Sequence, residues 1–291
     1  MANQNIHLVI IDPQNDFCDL PENYRPLVPG GAGERQAPSL PVPGAHEDMQ
    51  RIATLINQGG MGLSEISVTL DSHQRVDIAH PTFWQQRDGS AVSPFTQIRA
   101  VDVRDSRYLP RNAKAQARVL AYLEALEACG RYVHMVWPVH CEIGTWGNNV
   151  HEDVRQAYNR WEEVRVSVVN KVIKGTNPWT EHYSAIQAEV PDADDEATQL
   201  NTAFIAQLKQ ADQVLIAGEA GSHCVKATTE HIVENFAVED LRRLVLLTDC
   251  MSPVAGFEVQ YAAFVEDMRG RGVQIARSTD VLPELLANAQ R

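Results

Sequence analysis

Gly218-Glu219-Ala220-Gly221-Ser222-His223-Cys224-Val225-Lys226 lies between the apolar run Val214-Leu215-Ile216-Ala217 and the segment Ala227-Thr228-Thr229-Glu230-His231-Ile232-Val233. The run before it reads as a buried strand. In the segment after it, Val225, Thr228 and Ile232 recur at helical spacing. Cys224 therefore falls where a strand turns into a helix. Such a joint exposes a side chain at the end of a sheet. It also sets the sulfur near the positive end of the helix dipole, which lowers a thiol pKa. Gly218 and Gly221 let the backbone turn tightly there. Two readings of Cys224 follow from this stretch: a nucleophile, and a small buried hydrophobe in a strand–helix joint.

Other strand ends carry chemistry too. Residues 6–11 form an apolar run broken only by His7, ending in Asp12-Pro13-Gln14-Asn15-Asp16-Phe17-Cys18. Loops at the carboxyl ends of parallel strands carry sites, so Asp12 is a candidate acid or base, or else a turn-forming Asp before Pro. Residues 66–70 read as a strand ending in Asp71-Ser72-His73, with His80 seven residues on. A carboxylate and an imidazole one residue apart project the same way from extended chain, a partial site for a divalent ion. Residues 132–139 read as a further strand, ending at Trp137-Pro138-Val139-His140-Cys141, and 164–169 as another, before Lys171-Val172-Ile173-Lys174-Gly175. Lys174 could hold a neighbouring thiolate or carboxylate by charge, or be an exposed strand-end lysine. Ionisable residues gathered at one edge of a sheet are what a site needs and a core does not.

Between these runs, helical spacing covers 45–57, 112–129, 151–163, 200–208, 259–268 and 281–289, and strands are expected at 243–247 and 273–276. Residues 98–103 read as a strand within an excursion. Residues 19–45 read as a Pro- and Gly-rich surface loop, and 191–196 as an acidic turn. Alternating strands and helices imply an α/β fold with a mainly parallel sheet, in one domain spanning 1–291.

Composition narrows the function. The chain has 291 residues, 44% of them hydrophobic, with a formal net charge of −13. That charge argues against nucleic acid or an anionic membrane as a partner. The five cysteines (Cys18, Cys129, Cys141, Cys224, Cys250) are odd in number and form no CxxC, so neither a disulfide framework nor a thiolate zinc site is indicated. The opening Met-Ala-Asn-Gln-Asn runs straight into a strand without a charged-then-apolar leader, so a cytoplasmic location is expected.

Six of these segments, in order, resemble the isochorismatase-like cysteine hydrolases, and within them the nicotinamidases. Asp12 to Phe17 resembles the DxQxDF opening. Leu40-Pro41-Val42-Pro43-Gly44 resembles the LxVPG segment, and Asp71-Ser72-His73 with His80 the metal segment, with a longer spacer. Trp137 to Cys141 is similar to WPxHC. Ile173-Lys174-Gly175 resembles the lysine region, and Gly218 to Val225 the nucleophile segment. The likeness leaves out roughly 20–38 and 85–130, which are expected to be insertions. It implies a three-layer α/β/α fold with Cys224 as nucleophile, Asp12 as its base and Lys174 as the third member. It implies Asp71, His73 and His140 as ligands of a divalent metal, zinc foremost with iron or manganese as alternatives, and His80 as a candidate fourth. Phe17 and Trp137 would flank an aromatic ring. A cis peptide is implied at Glu219–Ala220, with the N–H groups of Ala220 and Cys224 as an oxyanion hole.

The expected partner is a small-molecule amide such as nicotinamide, joined at most by further copies of the chain. Ala220-Gly221-Ser222 departs from the family's Ala-Thr-Asp, and the 71–140 separation is stretched; both changes border the pocket. A second enzyme reading keeps the triad but takes an N-carbamoyl or ureido substrate. A non-enzyme reading is a binding or scaffolding protein on the same fold; the presence of Asp12, Lys174 and Cys224 together weighs against it.

Overall fold

The apolar runs pair into one six-stranded, all-parallel sheet in the computed structural model, which describes residues 3–290. The elements in chain order are β1 (Ile6–Ile11), α1 (Ala45–Gly59), β2 (Glu65–Asp71), β3 (Trp84–Gln86), β4 (Thr96–Ile98), α2 (Ala100–Arg104), β5 (Tyr108–Pro110), α3 (Gln116–Cys129) and β6 (His134–Val136). They continue with α4 (Glu152–Arg165), β7 (Asn170–Lys174), α5 (Thr202–Lys209), β8 (Gln213–Gly218), α6 (Cys224–Asn235), β9 (Leu244–Leu247), α7 (Glu258–Arg271), β10 (Gln274–Ala276) and α8 (Ser278–Asn288). The sheet order is β10-β9-β8-β1-β2-β7, and helices flank it in a three-layer α/β/α arrangement.

Strand β1 lies at the centre because both its faces are apolar. Every one of its residues is buried, His7 included. Burying an Ile or Leu side chain contributes about 1.5–3 kcal/mol, so this run is a large local source of stability. The register then places the chemistry. Ile11 pairs with Gly218, so Asp12 emerges beside the nucleophile segment, and Asp71 pairs directly with Lys174 across β2 and β7. Gly218 is required at its position: a Cβ there would sit 2.0 Å from the Ile11 carbonyl oxygen, and its φ is +120°.

Three strand expectations are corrected. Residues 132–139 supply only β6, which pairs antiparallel with β4 outside the main sheet. His140 therefore reaches the site from a loop. Residues 164–169 are not a strand. Helix α4 runs to Arg165, Val166 caps it in the left-handed conformation, and the strand begins at Asn170. Val164, Val166 and Val168 are 65%, 91% and 82% exposed and only Val169 enters the core, so this β-branched run has strand composition without a strand's covered faces. Residues 98–103 end β4 and then form α2, capped by Arg99 and Asp102.

A second apolar cluster, including Ile78, Trp84, Ile98, Val119, Leu123 and Val136, stands apart from the main core and unites the 84–126 region with β6. Among the described residues, no helix is long and apolar enough to cross a membrane.

Candidate active site and metal centre

Asp12 leaves β1 with φ +44°, a turn that tucks its carboxylate back under the sheet edge. It is fully buried. Its N–H donates to Thr69 Oγ1 at 3.0 Å, and Thr69 Oγ1 donates to Asp12 Oδ1 at 2.5 Å. The other oxygen, Oδ2, lies 3.0 Å from Lys174 Nζ and accepts no well-directed hydrogen bond among the described residues. Burial raises the Asp12 pKa, opposed by the Lys174 charge.

Lys174 ends β7 and is buried. Its Nζ donates to Asp71 Oδ1 at 2.9 Å and to the His182 carbonyl at 2.9 Å, and stands 3.7 Å from Cys224 Sγ. Burial works against its charge, but Asp12 and Asp71 together outweigh burial and hold its pKa well above the usual lysine value. One ammonium thus links two carboxylates and a thiol.

Cys224 is the first residue of α6 and is 5% exposed. The expectation that the dipole would lower its pKa is corrected: burial pushes the thiol well up, and Lys174 only partly opposes this. The thiol is protonated at rest and needs a base beside it. The Glu219–Ala220 peptide is cis. Among the described residues, neither the Ala220 nor the Cys224 N–H donates to a protein acceptor, whereas the Ala220 carbonyl accepts from His223 and Val225.

Asp71 uses its two oxygens separately. Oδ1 holds Lys174; Oδ2 lies 3.0 Å from His73 Nε2 and 3.4 Å from His140 Nε2. Burial would raise its pKa, but His73, Lys174 and the His140 hydrogen bond hold it well below the usual carboxylate range. His73, His80 and His140, all buried, offer ring nitrogens within 4.8 Å of one another. Burial and the two neighbouring imidazoles push the His80 pKa down to about 2, so it is a neutral donor. Three imidazoles with an adjacent carboxylate are a donor set suited to a borderline divalent metal, and the residues fit such an ion. The Nδ1 of His73 lies 3.1 Å from Asp77 Oδ2, an outer partner that leaves Nε2 facing the cluster.

Phe17 and Trp137 line the same pocket as Cys224, Asp71 and His140. Trp137 Nε1 donates to Tyr183 Oη at 3.0 Å, and the Phe17 ring lies 5.5 Å from His140. The pocket is closed down to about 20 Å³, room for roughly one water, so a ring must part its walls to enter.

Tyr183, which follows Lys174 in the segment resembling the lysine region, backs Trp137. Three other residues have no place in the sequence reading. Thr69 holds Asp12. Asp77 holds His73 and lies four residues beyond it, a spacing that could have flagged it. Glu181 lines the pocket with Oε2 unpartnered among the described residues, and burial raises its pKa to about 8. It lies in an irregular stretch where no periodicity points inward.

No protein-family model and no curated protein matches the sequence. Solved structures do. The chain is similar to the yeast nicotinamidase bound to the inhibitor nicotinaldehyde, at TM-score 0.60 and 19% identity over 94% of this chain and 99% of that one. It is similar to an Acinetobacter nicotinamidase/pyrazinamidase at 0.57 and 20%, over 96% and 98%. A Pyrococcus horikoshii pyrazinamidase in complex with zinc matches at 0.51 and 18%, over 94% and 99%. The chain therefore has the fold of these nicotinamidase and pyrazinamidase structures.

Proposed function

We propose that this protein is a metal-dependent cysteine amidohydrolase that converts nicotinamide or a related heteroaromatic amide to the acid and ammonia. The observation that carries the reading is the Lys174 ammonium. Within 3.7 Å it gathers a base candidate, a thiol and the carboxylate of a metal-ligand cluster. A structural lysine has no need of a thiol and two acids in a pocket lined by aromatic rings.

In this reading the substrate carbonyl oxygen sits against the N–H groups of Ala220 and Cys224, which stabilise the oxyanion. Cys224 Sγ attacks the carbonyl carbon while its proton passes to Asp12 Oδ2. The C–N bond breaks, and Asp12 returns the proton to the departing ammonia. Water then attacks the thioester carbon, giving its proton to Asp12; the acid leaves and Sγ is reprotonated. The Lys174 ammonium opposes the burial that raises the Asp12 pKa. Phe17 and Trp137 flank the ring. Asp71, His73, His80 and His140 would hold the metal, which when bound supplies a Lewis-acid contact for a ring nitrogen. The zinc complex of the Pyrococcus structure supports zinc as the ion here. The nicotinaldehyde-bound yeast structure supports a pyridine-type ring as ligand.

The test is ammonia release from nicotinamide, pyrazinamide and benzamide by metal-loaded protein. Loss of one buried polar contact costs on the order of 1–3 kcal/mol, so benzamide should be slower by about tenfold or more. Equal rates for benzamide and nicotinamide would reject the ring-nitrogen contact. Cleavage of a ureido compound alone would keep the triad and move the substrate class.

A further inference from the structure

A cavity far larger than the catalytic pocket lies elsewhere on the molecule. A groove of about 890 Å³ lies between the 19–38 loop, the start of α4 and the outer edge of β7, and it shares no lining residue with the pocket around Cys224. Its charge is unlike that of the chain. In a protein of net charge −13, the groove is lined by Arg25, Arg35, Arg155 and Lys171 against two acids, Glu152 and Asp153.

Both acids are already engaged. Glu152 takes a forked pair from Arg155, at 2.7 and 2.8 Å from Nη2. Asp153 accepts the Tyr24 hydroxyl at 2.8 Å. Arg35 is spent on Glu22, at 3.5 Å, and on the Arg25 carbonyl. Lys171 lies 3.7 Å from Glu162 and 5.0 Å over the Tyr158 ring. Arg25 is different. Its guanidinium makes no hydrogen bond or ion pair among the described residues, and its Nε is buried without a partner. A half-buried guanidinium left unpaired beside a cavity is a donor set without its acceptor. Three aromatic side chains, Tyr24, Trp146 and Tyr158, line it as well, among asparagines and a few aliphatic residues.

We infer that this groove is a second binding site, for an anion carrying a flat aromatic ring. Arg25 pairs with the anionic group, and the aromatic walls take the ring. Neither the free anion nor the neutral ring satisfies both halves of the groove.

Adenosine monophosphate is the probe, with adenosine and inorganic phosphate as its two halves, titrated into the protein by calorimetry and by intrinsic tryptophan fluorescence. The monophosphate should bind at least tenfold more tightly than either half, and more weakly as salt rises. Arg25→Ala and Arg25→Gln should each weaken it tenfold or more while hydrolysis of nicotinamide stays at its wild-type rate. The two variants guard against a folding defect in one. Phosphate or adenosine binding as tightly as the monophosphate overturns the proposal. So does an unaltered affinity in both Arg25 variants, or the absence of any binding in the millimolar range. None of these outcomes depends on the amidase reading, which fails separately if no amide releases ammonia.

Discussion

Cys224 and Cys250 are both buried cysteines just beyond the carboxyl ends of neighbouring parallel strands, β8 and β9. Only one has a lysine. Cys224 has the Lys174 ammonium 3.7 Å away, which pulls against the burial that raises its pKa. Cys250 has Asp249, whose carboxylate lies 3.7 Å from Sγ and pushes an already burial-raised thiol further up. Asp249 is itself committed to Ser278, accepting from its N–H and hydroxyl, both at 2.7 Å. A strand end makes a location; the buried cation with two carboxylates makes chemistry. That difference can be attacked from either side.

The largest effect belongs to Lys174→Met. It leaves Asp12 and Asp71 without their cation and should cost about 3–5 kcal/mol in a urea unfolding curve. Ammonia release should fall on the order of a thousandfold. A variant of near wild-type stability and rate would erase the distinction between the two cysteines.

Glu181 sharpens the comparison through pH, in metal-stripped protein. Burial pushes its pKa up to about 8, from the ordinary glutamate value of 4.5. A raised pKa means that the folded state binds more protons between these values. The contribution is therefore fully present below about 4.5 and is lost as pH rises through about 8. Glu181→Gln should gain on the order of 2–4 kcal/mol at pH 8 relative to wild type, with no gain at pH 4. Parallel stability–pH curves would contradict a neutral carboxyl in the pocket.

Asp77→Asn tests the outer partner of the histidine cluster. Divalent-metal affinity, read by competition dialysis, should drop about 10–100-fold. Unchanged affinity would mean that His73 needs no help in presenting Nε2. The smallest effect is on the other side of the comparison: Cys250→Ala should cost about 1 kcal/mol and leave the rate unaltered.

Much of this contrast was legible in the sequence, for a physical reason. Asp12, Asp71, Lys174 and Cys224 each terminate or follow a short apolar run, and a parallel sheet brings such ends to one edge. The misreadings share a cause. Val164 to Val169 has strand composition, but Val164, Val166 and Val168 face water and only Val169 is buried, and composition does not report which face is covered. The apolar run 132–139 reads as a sheet strand leading to His140, yet its burial is split: Met135 and Trp137 enter the main core, while Val136 joins the second cluster with residues of the 84–126 region. The thiol pKa was read from helix position alone, whereas the burial that dominates it depends on packing from the whole chain. Glu181 and Thr69 are visible only once register and loop path are known.

The account turns on Cys224 forming a covalent bond with the substrate's acyl group. The direct measurement is rapid acid quench of metal-loaded protein turning over nicotinamide, followed by peptide mass spectrometry. The account predicts a nicotinoyl mass increment on the peptide containing Cys224, absent from Cys224→Ala and from the peptides carrying Cys250 and the exposed Cys129. Turnover with no acyl adduct at Cys224, or with the adduct on another cysteine, would contradict it.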